Sequence, residues 1–128
     1  MDSDVTIYTL AGGDAAFEAL VEHFYTYIEH DPVLRSMFPD DLEPGKRHQF
    51  LFLTQYFGGP TRYVDERGHP RLKMRHMPYD IDTEAQVHWL QHMLQAIDDA
   101  GIPEPARSLM REYFQKSSRF LINRPDPE

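Results

Sequence analysis

The densest chemistry in this chain lies in Gly68-His69-Pro70-Arg71-Leu72-Lys73-Met74-Arg75-His76-Met77-Pro78-Tyr79, where Arg71, Lys73 and Arg75 alternate along the run and His76 follows. Guanidinium and ammonium groups pair with carboxylates, and a neutral imidazole is a good ligand for a transition metal. Such a run can meet the anionic edge of a metal-bearing cofactor while the imidazole reaches the metal. The alternative is a solvated basic loop. The rival histidines are His23, His30, His48, His69, His88 and His92. His88 and His92 stand at the spacing of a zinc pair on one helical face, but no companion Glu or third ligand is obvious beside them. Surface histidines at this spacing are common.

Composition narrows the classes of partner. At 128 residues the chain is the size of one domain, read here as a single domain over 1–128 with an extended or disordered tail over 124–128. Thirteen Lys and Arg against twenty-one Asp and Glu leave a formal charge of −8, which repels phosphate backbones and anionic bilayers, so nucleic acid and membrane are not expected partners. No cysteine is present, which removes disulfides, thiolate ligands and covalent c-type haem attachment. The acidic start, with no basic segment and apolar run behind it, predicts a cytoplasmic protein. Eight Phe, seven Tyr and one Trp suit either a dense core or a pocket for a flat organic cofactor.

The elements that must carry these residues are helical. Phe17, Leu20, Val21, Phe24, Tyr25 and Ile28 follow the three-and-four spacing of one buried helix face, with Asp14 as its cap and Gly12-Gly13 breaking a short leading helix. Asp31-Pro32 restarts the chain, predicting a brief helix over 32–37. A third helix is expected over 44–57, stopped by Gly58-Gly59-Pro60. From 59 to 83 the periodicity is poor, predicting a long functional loop with only a short helix in it. Thr83-Glu84-Ala85-Gln86 fits a capping box for a helix with Val87, Leu90, Leu94 and Ile97 inward, ending at Gly101. Trp89, Met93 and Ala96 form a second line on that helix, so two of its faces want burial. Pro103 begins the last helix, with Leu109, Met110, Tyr113, Phe114, Phe120 and Leu121 inward. No alternating strand intrudes, so the fold class is all-α.

Against that frame several motifs stand in order: Phe24-Tyr25, Phe38-Pro39 within 34–41, Gln55-Tyr56-Phe57-Gly58-Gly59-Pro60, Arg67-Gly68-His69-Pro70-Arg71-Leu72, Met74-Arg75-His76-Met77-Pro78-Tyr79, Trp89-Leu90 and Asn123. Together, over 5–123, they resemble the truncated haemoglobins of group II, the O-type family. The resemblance implies a truncated globin fold, a two-over-two helical sandwich whose proximal helix is short and sits in the long loop. It also implies a b-type haem held without a covalent bond and ligated by His76.

On the other face the resemblance carries over Tyr25, Gln49 and Trp89 as the distal groups. A phenol O–H, an amide and an indole N–H aimed at bound dioxygen would stabilise its superoxide character. Phe38 matches the aromatic packed against the haem, and Gly45, Gln49, Phe52 and Leu53 share the side of the third helix placed over the distal face. Gly45 stands at the gate position, where a missing side chain is expected to leave the pocket open. Arg47, Tyr63, Arg75 and Tyr79 are further candidates, for propionate and rim contacts. Dioxygen, nitric oxide and carbon monoxide are the expected ligands, bound reversibly by a monomer or homodimer. The same pocket would serve a nitric oxide dioxygenase or a peroxidase-like enzyme, with a reductase as partner. A cofactor-free helical interaction module is the third possibility, and it predicts no visible absorption.

Overall fold

The computed structural model describes residues 5–125. Seven helices follow one another: α1 (Ile7–Ala11), α2 (Gly13–Glu29), α3 (Glu43–Tyr56), α4 (Arg62–Arg67), α5 (Leu72–His76), α6 (Thr83–Asp99) and α7 (Ala106–Phe120). No strand occurs among the described residues, and no helix there is long and apolar enough to cross a membrane. Helix α2 packs on α3 and α6, and α6 packs on α7, so α2 and α3 form one layer over α6 and α7. This is the expected two-over-two sandwich.

The first boundary is set by Gly12, whose φ of 118° lies in the left-handed region that closes α1 and opens α2. Asp14, expected to cap α2, does something else. It sits in the first helical turn, accepts from the Tyr8 hydroxyl at 2.7 Å and takes a two-pronged ion pair from Arg62 at 2.7 and 3.1 Å. That pair ties α4 to the start of α2, and Arg62 holds the Asp14 carboxyl below its ordinary range. The capping box at α6 is likewise displaced by one residue, because the Asp82 carboxylate accepts from the Ala85 amide at 2.9 Å. The brief helix expected over 32–37 contracts to a 3₁₀ turn, Arg35–Met37.

The core is assembled from Phe17, Leu20, Phe24 and Ile28 of α2, Met93, Ala96 and Ile97 of α6, and Met110 and Phe114 of α7, all at most 2% exposed. On α6 and α7 only part of each expected inward face is buried. On α6 the deep line is Met93, Ala96 and Ile97, whereas Val87 is 41% exposed and Leu90 and Leu94 are half-buried. On α7 the buried line is Ala106, Met110, Phe114 and Ser118, one residue per turn, and Leu109 and Phe120 stand outside. Inside, Gln86 donates to the Ser118 hydroxyl at 2.8 Å, satisfying two buried polar groups and locking α6 to α7.

The segment after α3 holds two short helices, α4 and α5, rather than the expected one. Gly68 ends α4, and Arg71 enters α5 at φ 48°, a left-handed conformation uncommon for a residue with a side chain. The expected tail starts at Arg124, whose guanidinium meets Asp80 at 2.6 Å and whose amide donates to the Ile81 carbonyl at 3.1 Å. Residues 126–128 of that tail lie outside the described residues.

Candidate functional site

His76 is the last residue of α5, and its ring is oriented by its own helix. Nδ1 lies 2.6 Å from the Leu72 carbonyl one turn back. A carbonyl only accepts, so Nδ1 carries a proton, and in the neutral ring Nε2 keeps its lone pair. Nε2 has no hydrogen-bond partner among the described residues. The ring is half-buried.

The helix behind it is anchored from both ends. At its start the Arg75 guanidinium turns back to donate to the Pro70 carbonyl at 2.7 Å and the Arg67 carbonyl at 3.4 Å. At its end Asn123 acts as a clasp: its amide donates to the carbonyls of His76 at 3.3 Å and Tyr79 at 2.9 Å, while its oxygen accepts from the Ile81 amide at 2.9 Å. Asn123 entered the sequence reading only as part of a motif. Its positioning role has no local signature, because all three partners lie more than forty residues away.

Around Tyr25 the other cluster forms. Its side chain, 5% exposed, comes from the inner face of α2, and burial pushes its phenol up to about 12, so it stays a protonated donor at neutral pH. The hydroxyl makes no hydrogen bond to a described residue. Phe38 meets its ring edge-on at 6.0 Å between centroids. Phe24 touches both Tyr25, at 5.4 Å, and Trp89 of α6, at 5.2 Å, so one core ring fixes the spacing of the two donor-bearing side chains. The Trp89 indole also makes no hydrogen bond to a described residue. Gln49 on α3 has its Oε1 buried without a partner.

Gly45 lies against Tyr25. A Cβ there would come within 2.8 Å of the Tyr25 oxygen, so the missing side chain makes room for the phenol. Gly45→Ala is therefore expected to displace the Tyr25 hydroxyl, changing ligand dissociation in the direction of Tyr25→Phe while leaving Phe38 and Trp89 in place. Ligand-release kinetics and the crystal structure of the variant would check this, and an unmoved phenol would refute it.

The remaining candidates are dispersed. Leu53 is core at 3% exposure, and Phe52 packs edge-on against Tyr63 at 5.5 Å. Tyr63, on α4, is itself buried. Arg47 is committed to Glu66 at 2.7 Å across the same two helices. Tyr79 is exposed, as are Met74 and Met77 beside His76.

Comparison with known proteins agrees with the fold. Residues 6–122 match the family model of the bacterial-like globins. The chain is 36% identical over 116 residues to the group 2 truncated hemoglobin YjbI of Bacillus subtilis, covering 91% of this chain and 88% of that one. Among solved structures, the hemoglobin of the thermophilic phototroph Chloroflexus aurantiacus superposes with a TM-score of 0.93 at 54% identity, over 94% of this chain and 99% of that one. The group II truncated hemoglobin of Bacillus anthracis gives a TM-score of 0.93 at 39% identity, over 96% and 95%. With fold, motif order and relatives in agreement, the chain belongs to the bacterial-like globin family, in its group II truncated haemoglobins, and is a haem-binding globin by descent.

Proposed function

We propose that this chain holds one b-type haem non-covalently through Nε2 of His76 and binds dioxygen, and with it nitric oxide and carbon monoxide, on the opposite face. The observation that carries the reading is the 2.6 Å contact of His76 Nδ1 with the Leu72 carbonyl, which leaves Nε2 without a hydrogen-bond partner among the described residues. The residues present suit the group in three further ways. The Gln49 oxygen is buried without a partner, which in a dry core costs about 1–3 kcal/mol and calls for a polar neighbour. Tyr25 and Trp89, each with an uncommitted donor, both pack against one ring, Phe24. Exposed Met74 and Met77, either side of His76 in the chain, are apolar surface that a flat macrocycle would cover.

When bound, the haem would supply an iron able to take up a small gas. The chain's own part is then electrostatic. Tyr25, protonated at neutral pH, would donate to negative charge on the bound gas, Trp89 would offer a second N–H, and Phe38, edge-on to the Tyr25 ring, would help to position the phenol. In the absence of cysteine, attachment rests on the His76 bond and on packing alone.

Titration of the recombinant chain with haemin should saturate at one equivalent with a sharp Soret band, and the reduced form should bind carbon monoxide. A chain that stays colourless in excess haemin would end this reading. The same uncommitted donors favour a second reading as a nitric oxide dioxygenase or peroxidase-like enzyme, since groups that stabilise charge on dioxygen also polarise its O–O bond. Mixing the reduced, oxygenated protein with nitric oxide separates the two: sustained turnover with a reductase supports the enzyme, and a single stoichiometric burst supports binding.

A further inference from the structure

Away from His76 and the Tyr25 cluster, the turn after α2 and the exposed side of α6 build a second metal-ligating cluster. The sequence offered His88 and His92 without a third group; the fold supplies it as Asp31, fifty-seven residues upstream of His88. The Asp31 carboxylate is nearly buried, at 5% side-chain exposure, and its Oδ2 accepts from Nδ1 of His88 at 2.9 Å and Nε2 of His92 at 2.5 Å. One ligand atom from each residue lies within 4.8 Å of the others.

We propose that Asp31, His88 and His92 form a binding site for a divalent transition ion, of which Zn²⁺ is the representative, independent of the haem pocket.

Two imidazoles and one carboxylate are the donor set that zinc takes in open, three-ligand sites, with water in the fourth position. The arrangement is built rather than incidental. His88 and His92 are one helical turn apart, so the rigid backbone of α6 presents both rings to one point. The Asp31 carboxylate is oriented from behind, because its Oδ1 accepts from the amides of Val33 at 2.8 Å and Leu34 at 3.3 Å, leaving Oδ2 for the site. His92 is held on its flat side by the ring of Tyr27 at 5.8 Å, and the Tyr27 hydroxyl is itself bonded to Asp99. In front of the three groups lies an open depression of ≈ 580 Å³, lined also by Thr26, His30 and Gln91, with room for the water that completes the coordination.

Donors around a tetrahedral ion at about 2.0–2.1 Å stand about 3.4 Å apart, so the two rings must withdraw from Oδ2 by about 0.5–0.9 Å. Both histidines are half-buried, with side-chain exposures of 34% and 24%, and rotation about their own side-chain torsions provides that movement. The protons now shared with Asp31 pass to the other ring nitrogens or to solvent.

The test is calorimetric titration of tag-free, haem-loaded protein with ZnCl₂. One zinc should bind with a Kd below about 100 µM and raise the melting temperature by roughly 5–10 °C at a hundredfold excess over Kd. The decisive variants are His88→Asn and His92→Gln, whose amides can still donate to Asp31 but are poor zinc ligands. Each is expected to weaken zinc binding at least tenfold, and together they should abolish it, with the Soret band and the zinc-free melting temperature nearly unchanged. No uptake by the wild-type protein, or equal uptake by the double variant, would overturn the site and show the cluster to be a structural hydrogen-bond latch.

Discussion

Replacing His76 with glycine should lower haemin affinity by two orders of magnitude or more, about 3 kcal/mol, and eliminate the proximal iron–nitrogen vibration from the resonance Raman spectrum. The expectation rests on the committed tautomer: no other ring nitrogen on α5 is available, since His76 is the only histidine in Leu72–His76. The clasp from Asn123 reaches the main chain of residue 76 and not its side chain, so the loop retains that anchor in the variant. Added imidazole should then enter the space left by the side chain and restore a nitrogen-ligated spectrum, a rescue that a merely misfolded variant would not show. A ligation spectrum identical to the wild type would assign the metal to another residue and remove the foundation of the proposed function.

The second large effect concerns release of dioxygen. Loss of one hydrogen bond to a charged acceptor costs about 1.5–3 kcal/mol, so Tyr25→Phe should speed dissociation by roughly ten- to a hundredfold. Phenylalanine retains the contacts with Phe24 and Phe38, at 5.4 and 6.0 Å, and removes only the hydroxyl. Trp89→Phe should act in the same direction, and the double variant should show whether the two donors share one acceptor, because coupled donors give non-additive effects. The pH profile gives an independent check. Since burial places the Tyr25 phenol at about 12, the wild-type dissociation rate should be flat through the neutral range and begin to rise only in strong alkali, as the donor is lost. Equal rates in all variants would leave the distal donors without a role.

The structure also assigns a cost to the donor arrangement. The Tyr25 oxygen occupies the space a side chain at residue 45 would need, at 2.8 Å from the position of a Cβ, so the small residue on α3 and the large one on α2 are a matched pair. Neither can be judged alone. A phenol buried without a protein partner is unfavourable by itself, and such costs are commonly found where a ligand completes the hydrogen bonding.

What could be read in the residues was whatever depends on neighbours along the chain. Helical spacing in 17–28 and 83–99, the stop at Gly58-Gly59-Pro60 and the motif order that includes His76 were all visible, because periodicity and backbone preference are local. Two short helices in the loop were not separable, since α4 and α5 have only six and five residues and draw their stability from Arg62–Asp14 and from Asn123 rather than from their own composition.

Which of two apolar faces goes deeper was decided only by packing. On α6 the candidate lines through Val87 and through Met93 are both apolar, and contact with α2 and α7 buried the second and left Val87 outside. The same holds for polar partners. Asp14 with Arg62, Gly45 with Tyr25, and Asp31 with His88 and His92 are separated by 48, 20, 57 and 61 positions, and a carboxylate or a missing side chain acquires its use from what the fold brings against it. Sequence by itself determined the long helices and the imidazole at the end of the cationic run; the tertiary structure chose the tautomer's surroundings, the seat of the phenol and the third group beside His88 and His92, because those are distances in space and not spacings along a chain.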